Sequence, residues 1–320
     1  MADDYLWDMS GEPDTEVRQL ETTLASFRWQ GFNAQTVVRR PWPWWQFRAL
    51  IAALPMLVAI IGIAVSVLLP RVAPPRTSWT VSLEGAKPSP FRPGEVVKTT
   101  PGSHGQIESA KIGRIEMDPE SQLRLVGTRE SEQRFALDRG TIHALIWAPP
   151  AQFIVDTPSA HAIDLGCQYT LRVAKDGSGF LSVETGWVAF DWHNVESFIP
   201  SGAACKTRRD RGPGTPYYLD APQPLITALD KFDASGNADA LRSAVALSRP
   251  RDALTLWHLM SRTQGNDRAQ VAQAFTERVR LPATVSREGL LAGDRKALDQ
   301  AWDALDVGST QWWRTWKRRW

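Results

Sequence analysis

Hydrophobic positions follow four different patterns along this chain. Val17, Leu20, Leu24 and Phe27 recur at spacings of three and four, which predicts one amphipathic helix of about four turns. Pro13 stands just ahead of it, with Asp14 and Glu16 following, as suits a helix N-terminus. From Ala49 to Leu69 the pattern changes to twenty-one residues without a charge. A helix of that length, rising about 1.5 Å per residue, spans roughly 30 Å, the hydrocarbon thickness of a bilayer. Soluble helices are rarely apolar on every face for so long. Pro55 and Gly62 are tolerated in membrane spans. The run is therefore expected to be a transmembrane helix, dividing a short head from a long tail.

The flanks agree. Trp42, Trp44 and Trp45 crowd the start of the run beside Arg39, Arg40 and Arg48, a membrane-interface composition. A cleaved signal peptide would begin earlier and end at small residues, whereas this run ends Leu68-Leu69-Pro70-Arg71. A buried core helix is the other alternative, and the flanks speak against it. Charge leaves orientation open: Arg39, Arg40 and Arg48 on one side are matched by Arg71, Arg76 and Lys87 on the other.

Residues 71–94 are rich in proline and read as an extended spacer. From Glu95 the pattern becomes short alternating runs, among them Arg114-Ile115-Glu116-Met117 and Gln122-Leu123-Arg124-Leu125-Val126. Turn signals separate them at Asp138-Arg139-Gly140, Asp176-Gly177-Ser178-Gly179 and Glu184-Thr185-Gly186. Short strands at near-regular spacing predict an all-β unit over 95–211, a sandwich, a barrel or a short β-solenoid. Beyond Gly212-Pro213-Gly214-Thr215-Pro216, a loop by composition, helix-period stripes return. They include Leu225-Ile226-Leu229-Phe232, Ala253-Leu256-Trp257-Met260 and Val271-Phe275-Val279, with breaks at Gly236-Asn237, Pro250, Gly265-Asn266, Pro282 and Gly293-Asp294. Residues 212–320 are thus expected to form about five or six short antiparallel helices, a bundle or helical-hairpin array. The predicted fold class is multidomain: a head over 1–46 with one helix, a transmembrane helix over 47–70, an all-β domain and an α-helical C-terminal domain.

Composition removes several functions. The formal net charge is +2, so no nucleic-acid footprint is visible. The two cysteines, Cys167 and Cys205, are too few and too far apart for a zinc site. The five histidines (His104, His143, His161, His193 and His258) are scattered, none at ligand spacing from another His, Cys or Glu. His161, near Asp156 and Asp164, sits in an alternating pattern that makes it a surface residue rather than an acid–base group. No nucleophile elbow, Walker loop or dinucleotide fingerprint occurs, and Asp176-Gly177-Ser178-Gly179 lacks the helix that a phosphate loop needs. Lys206-Thr207-Arg208-Arg209 reads as a solvated basic face. The expectation is a protein without catalytic, cofactor or metal residues. At the end of the chain, Trp312, Trp313 and Trp316 alternate with Arg and Lys. They either cap the helical core or meet anionic headgroups or an envelope polymer.

Three segments carry a resemblance. They are Gly94-Glu95-Val96-Val97-Lys98-Thr99; Leu137-Asp138-Arg139-Gly140; and Phe153-Ile154-Val155-Asp156-Thr157-Pro158 leading to Leu165-Gly166-Cys167-Gln168-Tyr169-Thr170-Leu171. Together they resemble the FecR domain of bacterial transmembrane signal transducers that regulate sigma factors. The pattern there runs "GxxVxT", an "L..G" hairpin and "F.V.TP…LGT.F.V". Cys167 stands where that family usually has Thr. The resemblance covers 93–188 and implies a topology: head inside, tail outside the cytoplasm, in the bacterial inner membrane. It implies a regulator that passes an envelope signal to a cytoplasmic partner such as an alternative sigma factor, docked on Val17, Leu20, Leu24 and Phe27. The rival is an adaptor that binds periplasmic or outer-membrane proteins or glycans outside and uses the head as an anchor. With the tail outside, Cys167 and Cys205 could form one disulfide.

Overall fold

The computed structural model describes residues 15–25, 78–193 and 195–307. The predicted transmembrane run, its Trp42, Trp44, Trp45, Arg39 and Arg40 flank, Phe27 and the tryptophans near the C-terminus lie outside them. No helix among the described residues is long and apolar enough to cross a membrane. Residues 1–71 and 72–320 form two separate units. In the first, helix α1 (Thr15–Ala25) leaves Leu20 61% and Leu24 60% exposed, with Val17 half-buried.

The second unit opens with strands where the sequence suggested a spacer. β1 (Trp79–Leu83) and β2 (Ser89–Phe91) form a hairpin with Trp79 opposite Phe91. Trp79 is 1% exposed. It packs edge-on against Phe135 with centroids 4.9 Å apart, and its indole N–H donates to Gln133 Oε1 at 3.0 Å. The β unit is therefore larger than 95–211. The prolines sit where a short edge hairpin tolerates them.

Fourteen further strands follow: β3 (Val96–Lys98), β4 (Gly105–Ser109), β5 (Gly113–Met117), β6 (Gln122–Arg129), β7 (Glu132–Ile146), β8 (Phe153–Asp156), β9 (His161–Asp164), β10 (Gln168–Val173), β11 (Gly179–Thr185), β12 (Trp187–Trp192), β13 (Val195–Pro200), β14 (Ala203–Arg208), β15 (Gly212–Pro213) and β16 (Tyr217–Tyr218). They build two sheets joined through β7. One runs β2-β1-β4-β5-β7-β10-β11-β14, with β15 and β16 on β14. The other runs β3-β6-β7-β8-β9-β12-β13. Every described pairing is antiparallel except β7 with β8. The first half of β7 (Glu132–Arg139) pairs in one sheet, and the second half (Gly140–Ile146) in the other. Gly140, at φ +94°, is the corner. A Cβ there would overlap the Ser121 backbone, so only glycine lets the strand turn against that neighbour. Leu137-Asp138-Arg139-Gly140 is thus a sheet-switching corner within a strand, not the expected hairpin. Asp176-Gly177-Ser178-Gly179 does close a hairpin, between β10 and β11, while Gly186 carries the chain from β11 across to β12 in the other sheet. The core between the sheets is apolar: Ile107, Ile115, Leu123, Phe135, Ile142, Phe153, Leu171, Leu181 and Phe190 are fully buried.

The helical part comprises α2 (Gln223–Ser235), α3 (Ala238–Leu247), a 3-10 turn (Pro250–Asp252), α4 (Ala253–Arg262), α5 (Gly265–Arg278), α6 (Arg287–Ala292) and α7 (Arg295–Asp303). The breaks follow from capping chemistry. Gly236 closes α2 in the left-handed conformation, and the Asn237 side chain then caps α3 by accepting the Ala240 N–H at 2.8 Å. Gly293 and Asp294 repeat this between α6 and α7. Neighbouring helices form hairpins, α2 with α3, α4 with α5 and α6 with α7.

Candidate functional site

The helices are not a detached bundle. The segment 212–216, expected to be a loop, is buried where sheet and helices meet. Gly214 donates its N–H to the Lys206 carbonyl at 2.7 Å. Thr215 is 1% exposed and gives both its N–H and its hydroxyl to the Asp233 carboxylate of α2, each at 2.7 Å. Thr255 of α4 donates to the Pro216 carbonyl at 2.8 Å.

α4 then covers the open side of β13, the end strand of its sheet. The Phe198 N–H donates to His258 Nε2 at 3.1 Å, and His258 Nδ1 meets the Leu254 carbonyl at 2.9 Å. His258 is therefore a neutral imidazole with its proton on Nδ1. Burial first, and the nearby Arg262 charge second, push its pKa down to about 3. Arg262 reaches the Glu196 carbonyl at 3.2 Å and the Ser197 hydroxyl at 2.5 Å, with Asp233 Oδ1 at 3.8 Å. Burial lowers its pKa, opposed by the Asp233 charge. An uncovered strand end would leave backbone groups unpaired. Here a histidine acceptor and a guanidinium donor replace a further strand, and Pro200 closes the edge with a residue that has no N–H. An aromatic cluster backs the polar seam: Trp257, His258 and Phe198 surround Trp302, at 4.7, 5.9 and 5.2 Å between centroids. Beside the seam lies a cavity of about 620 Å³, walled by Arg208, Arg211, Phe232, Asp233, Trp257 and Arg262.

A second buried polar group lies inside the β unit. Asp164 ends β9 with 1% exposure. Its carboxylate accepts the Gly166 N–H at 2.7 Å and the Cys167 thiol. Burial drives its pKa up to about 7, only partly offset by those two donors. Burial also pushes the Cys167 thiol well above its usual range, with the Asp164 charge adding to it.

The expected Cys167–Cys205 disulfide is not formed; both are free buried thiols. Cys205 Sγ lies 3.2 Å from the Gly214 carbonyl. Sheet order explains the outcome. Cys167 lies beside Gly186 at one end of β11, and Cys205 is opposite Leu181 on the other side of that strand. Five residues at about 3.3 Å each, with two strand spacings of about 4.8 Å, separate them by roughly 19 Å, whereas a disulfide needs Cα atoms within about 7 Å.

Two histidine groupings that spacing hid appear at the surface. His143 Nε2 and His104 Nδ1 approach the same oxygen of Asp118, at 3.2 and 3.9 Å. His161 Nδ1 meets Asp156 at 2.7 Å, and Arg134 grips the same carboxylate in bidentate fashion at 2.7 and 2.9 Å. Burial opposes ionisation of Asp156, but the hydrogen bonds from His161 and Arg134 win, and its pKa is lowered. This is a hydrogen-bonded ion cluster that ties β7, β8 and β9 together. Arg262 and Asp233 were not singled out from sequence, and Asp164 was named only as a neighbour of His161. Arg262 alone carried a signal, a cation ending the fully apolar α4 stripe.

Comparison with known proteins gives a result for the β unit. The family model described as "FecR protein" matches residues 95–189. That span begins just before β3, ends within β12 and contains the sheet-switching β7. Two solved structures, at 1.65 and 2.50 Å, of a protein described as a "putative anti-sigma factor" from Parabacteroides distasonis ATCC 8503 are similar at 18% identity and a TM-score of 0.35. Each likeness covers 42% of this chain and 63% of the other. Among curated proteins nothing matches.

Proposed function

We propose that this chain, which carries a FecR domain at residues 95–189, is a single-pass inner-membrane regulator. In this reading the β and helical unit lies outside the cytoplasm and receives an envelope signal. The head lies inside and acts on a cytoplasmic partner, an alternative sigma factor. The observation that carries the reading is the FecR match itself. Two features support the arrangement around it: the uncharged run Ala49–Leu69, of bilayer-spanning length, and the exposed Leu20 and Leu24 on α1.

A helix as short as α1 is marginal in water on its own. Docked in a partner's groove, it would bury a few apolar anchors that carry most of the energy. Losing both leucines should cost several kcal/mol, enough to dissolve a micromolar complex. The test is Leu20→Asp with Leu24→Asp, made at normal level. The expected result is unchanged membrane insertion, loss of sigma-factor co-purification and an altered sigma-dependent transcript profile. An unchanged profile would make the head an anchor and the chain an envelope adaptor.

A further inference from the structure

We propose that the groove between the β10–β11 hairpin and the β14–β15 turn binds a phosphoryl group. The groove is a concavity of about 620 Å³ whose walls include Arg172, Phe180, Lys206, Arg208 and Arg209. From sequence alone, Lys206-Thr207-Arg208-Arg209 is a solvated basic face. The fold changes that by laying β11 between two basic strands: Arg172 of β10 stands opposite Phe180, and Phe180 stands opposite Lys206 of β14.

The decisive observation is how the arginines are held. The Arg172 guanidinium lies 5.6 Å from the Phe180 ring centroid. Arg208 donates to the backbone carbonyl of Asp230 at 3.1 Å. The stem of Arg209 lies over the Gly177 turn, where a Cβ would come within 3.3 Å of its Cδ. Arg172 rests against a ring and Arg208 on a carbonyl, while Arg209 is exposed beside the Gly177 turn; among the described residues no carboxylate forms an ion pair with any of the three. Elsewhere on the β unit, Arg92, Arg114, Arg124 and Arg134 each meet a carboxylate.

Three carboxylates, Asp176, Asp210 and Asp230, also line the groove, against the four cations Arg172, Lys206, Arg208 and Arg209. Asp230 pairs with Lys206 at 2.6 Å. Asp176 accepts the N–H and the hydroxyl of Ser178 at 2.9 and 2.6 Å, which lowers its pKa. Asp210 is exposed at the rim. The cations nonetheless include three guanidinium groups in no ion pair, Arg172 and Arg208 on strands and Arg209 in the turn after β14, with Lys175 and Arg211 close by in the chain. Such forks match a group with several terminal oxygens, and bidentate Arg–phosphate contacts are stronger and more directional than lysine's. The geometry fits one tetrahedral phosphoryl group rather than a nucleic-acid backbone, which would need a longer basic track.

The source is either free phosphate or a phospholipid headgroup, and one titration separates them. The full chain, in nonionic detergent and phosphate-free buffer, is titrated calorimetrically with sodium pyrophosphate and with a soluble short-chain phosphatidic acid. Binding should weaken at least tenfold in Arg172→Ser with Arg209→Ser. It should be unchanged in Arg114→Ser with Arg124→Ser, and the melting temperature should not move in either variant. Phosphatidic acid binding tighter than pyrophosphate assigns a headgroup; pyrophosphate binding equally or more tightly assigns free phosphate. The proposal is overturned if neither probe binds, if the Arg172 and Arg209 variant binds like the natural protein, or if the Arg114 and Arg124 variant loses as much. None of these outcomes depends on a sigma-factor partner.

Discussion

Asp164 and His258 should tilt the stability of this protein in opposite directions with pH, and replacing either one should expose the other. Asp164 has a folded pKa of about 7 against an ordinary value of 3.8. Its protonated form suits the buried site, so its contribution is complete below the unfolded pKa and is lost as pH rises through the folded one. The loss runs at about 1.4 kcal/mol per pH unit and totals about 4 kcal/mol by pH 7. His258 is the reverse case, depressed from 6.5 to about 3. Its contribution is complete above pH 6.5 and is lost as pH falls toward 3, at the same rate. Between about pH 4 and 6.5 the two slopes cancel. Asp164→Asn keeps an acceptor for the Gly166 N–H and removes the titration. Its stability should rise with pH across that window, relative to the natural protein, by about 1.4 kcal/mol per unit. The assay is urea unfolding of the full chain followed by tryptophan fluorescence at four pH values from 4 to 7. Parallel pH profiles for Asp164→Asn and the natural protein would refute the reasoning, because they would mean that the carboxylate is not protonated when buried.

Two further substitutions test separate parts of the architecture. His258→Gln should show the mirror-image slope, stability falling by about 1.4 kcal/mol per unit from pH 4 to 6.5 relative to the natural protein, read by the same unfolding series. Gly140→Ala should destabilise by roughly 2–5 kcal/mol, from a positive φ and overlap with Ser121 combined, lowering the urea midpoint. Gly127→Ala, where a Cβ meets nothing within 4 Å, serves as the control and should leave the midpoint nearly unchanged.

The helical half was the more legible part. Its stripes report burial directly, since Leu254, Leu256, Trp257, Leu259 and Met260 all face the core, and its breaks carry Gly, Asn and Asp in capping positions. The β half was legible as strands but not as a topology. Asp138-Arg139-Gly140 has the composition of a turn, and a left-handed glycine serves a strand corner as well as a hairpin. Only the pairing partners on either side distinguish the two. Trp79 was hidden among prolines, because a hairpin of five- and three-residue strands is too short for periodicity to register. The disulfide expectation failed for a related reason. Separation along the chain does not reveal that β11 runs between the two cysteines. The seam was invisible because Ser197, Asp233 and Arg262 come from three elements, and Thr215 from the segment between β15 and β16, which only the fold brings together.

That seam also decides whether sheets and helices unfold together. β13 hydrogen-bonds to β12, β12 to β9, and β9 ends at Asp164. The helices hold the outer side of β13 through His258 and Arg262. Removing α4 would therefore strip two backbone partners from β13 and leave the Ser197 hydroxyl and the Asp233–Thr215 pair without the Arg262 guanidinium. Breaking a buried polar network in this way costs more than its parts suggest, because each partner left behind is desolvated and unpaired. The helical part is thus bound to the FecR-like sheets as one cooperative unit, not appended to them. The two pH slopes should consequently appear in a single unfolding transition. Separate transitions, with the His258 slope confined to one and the Asp164 slope to the other, would show that the seam does not couple the two halves.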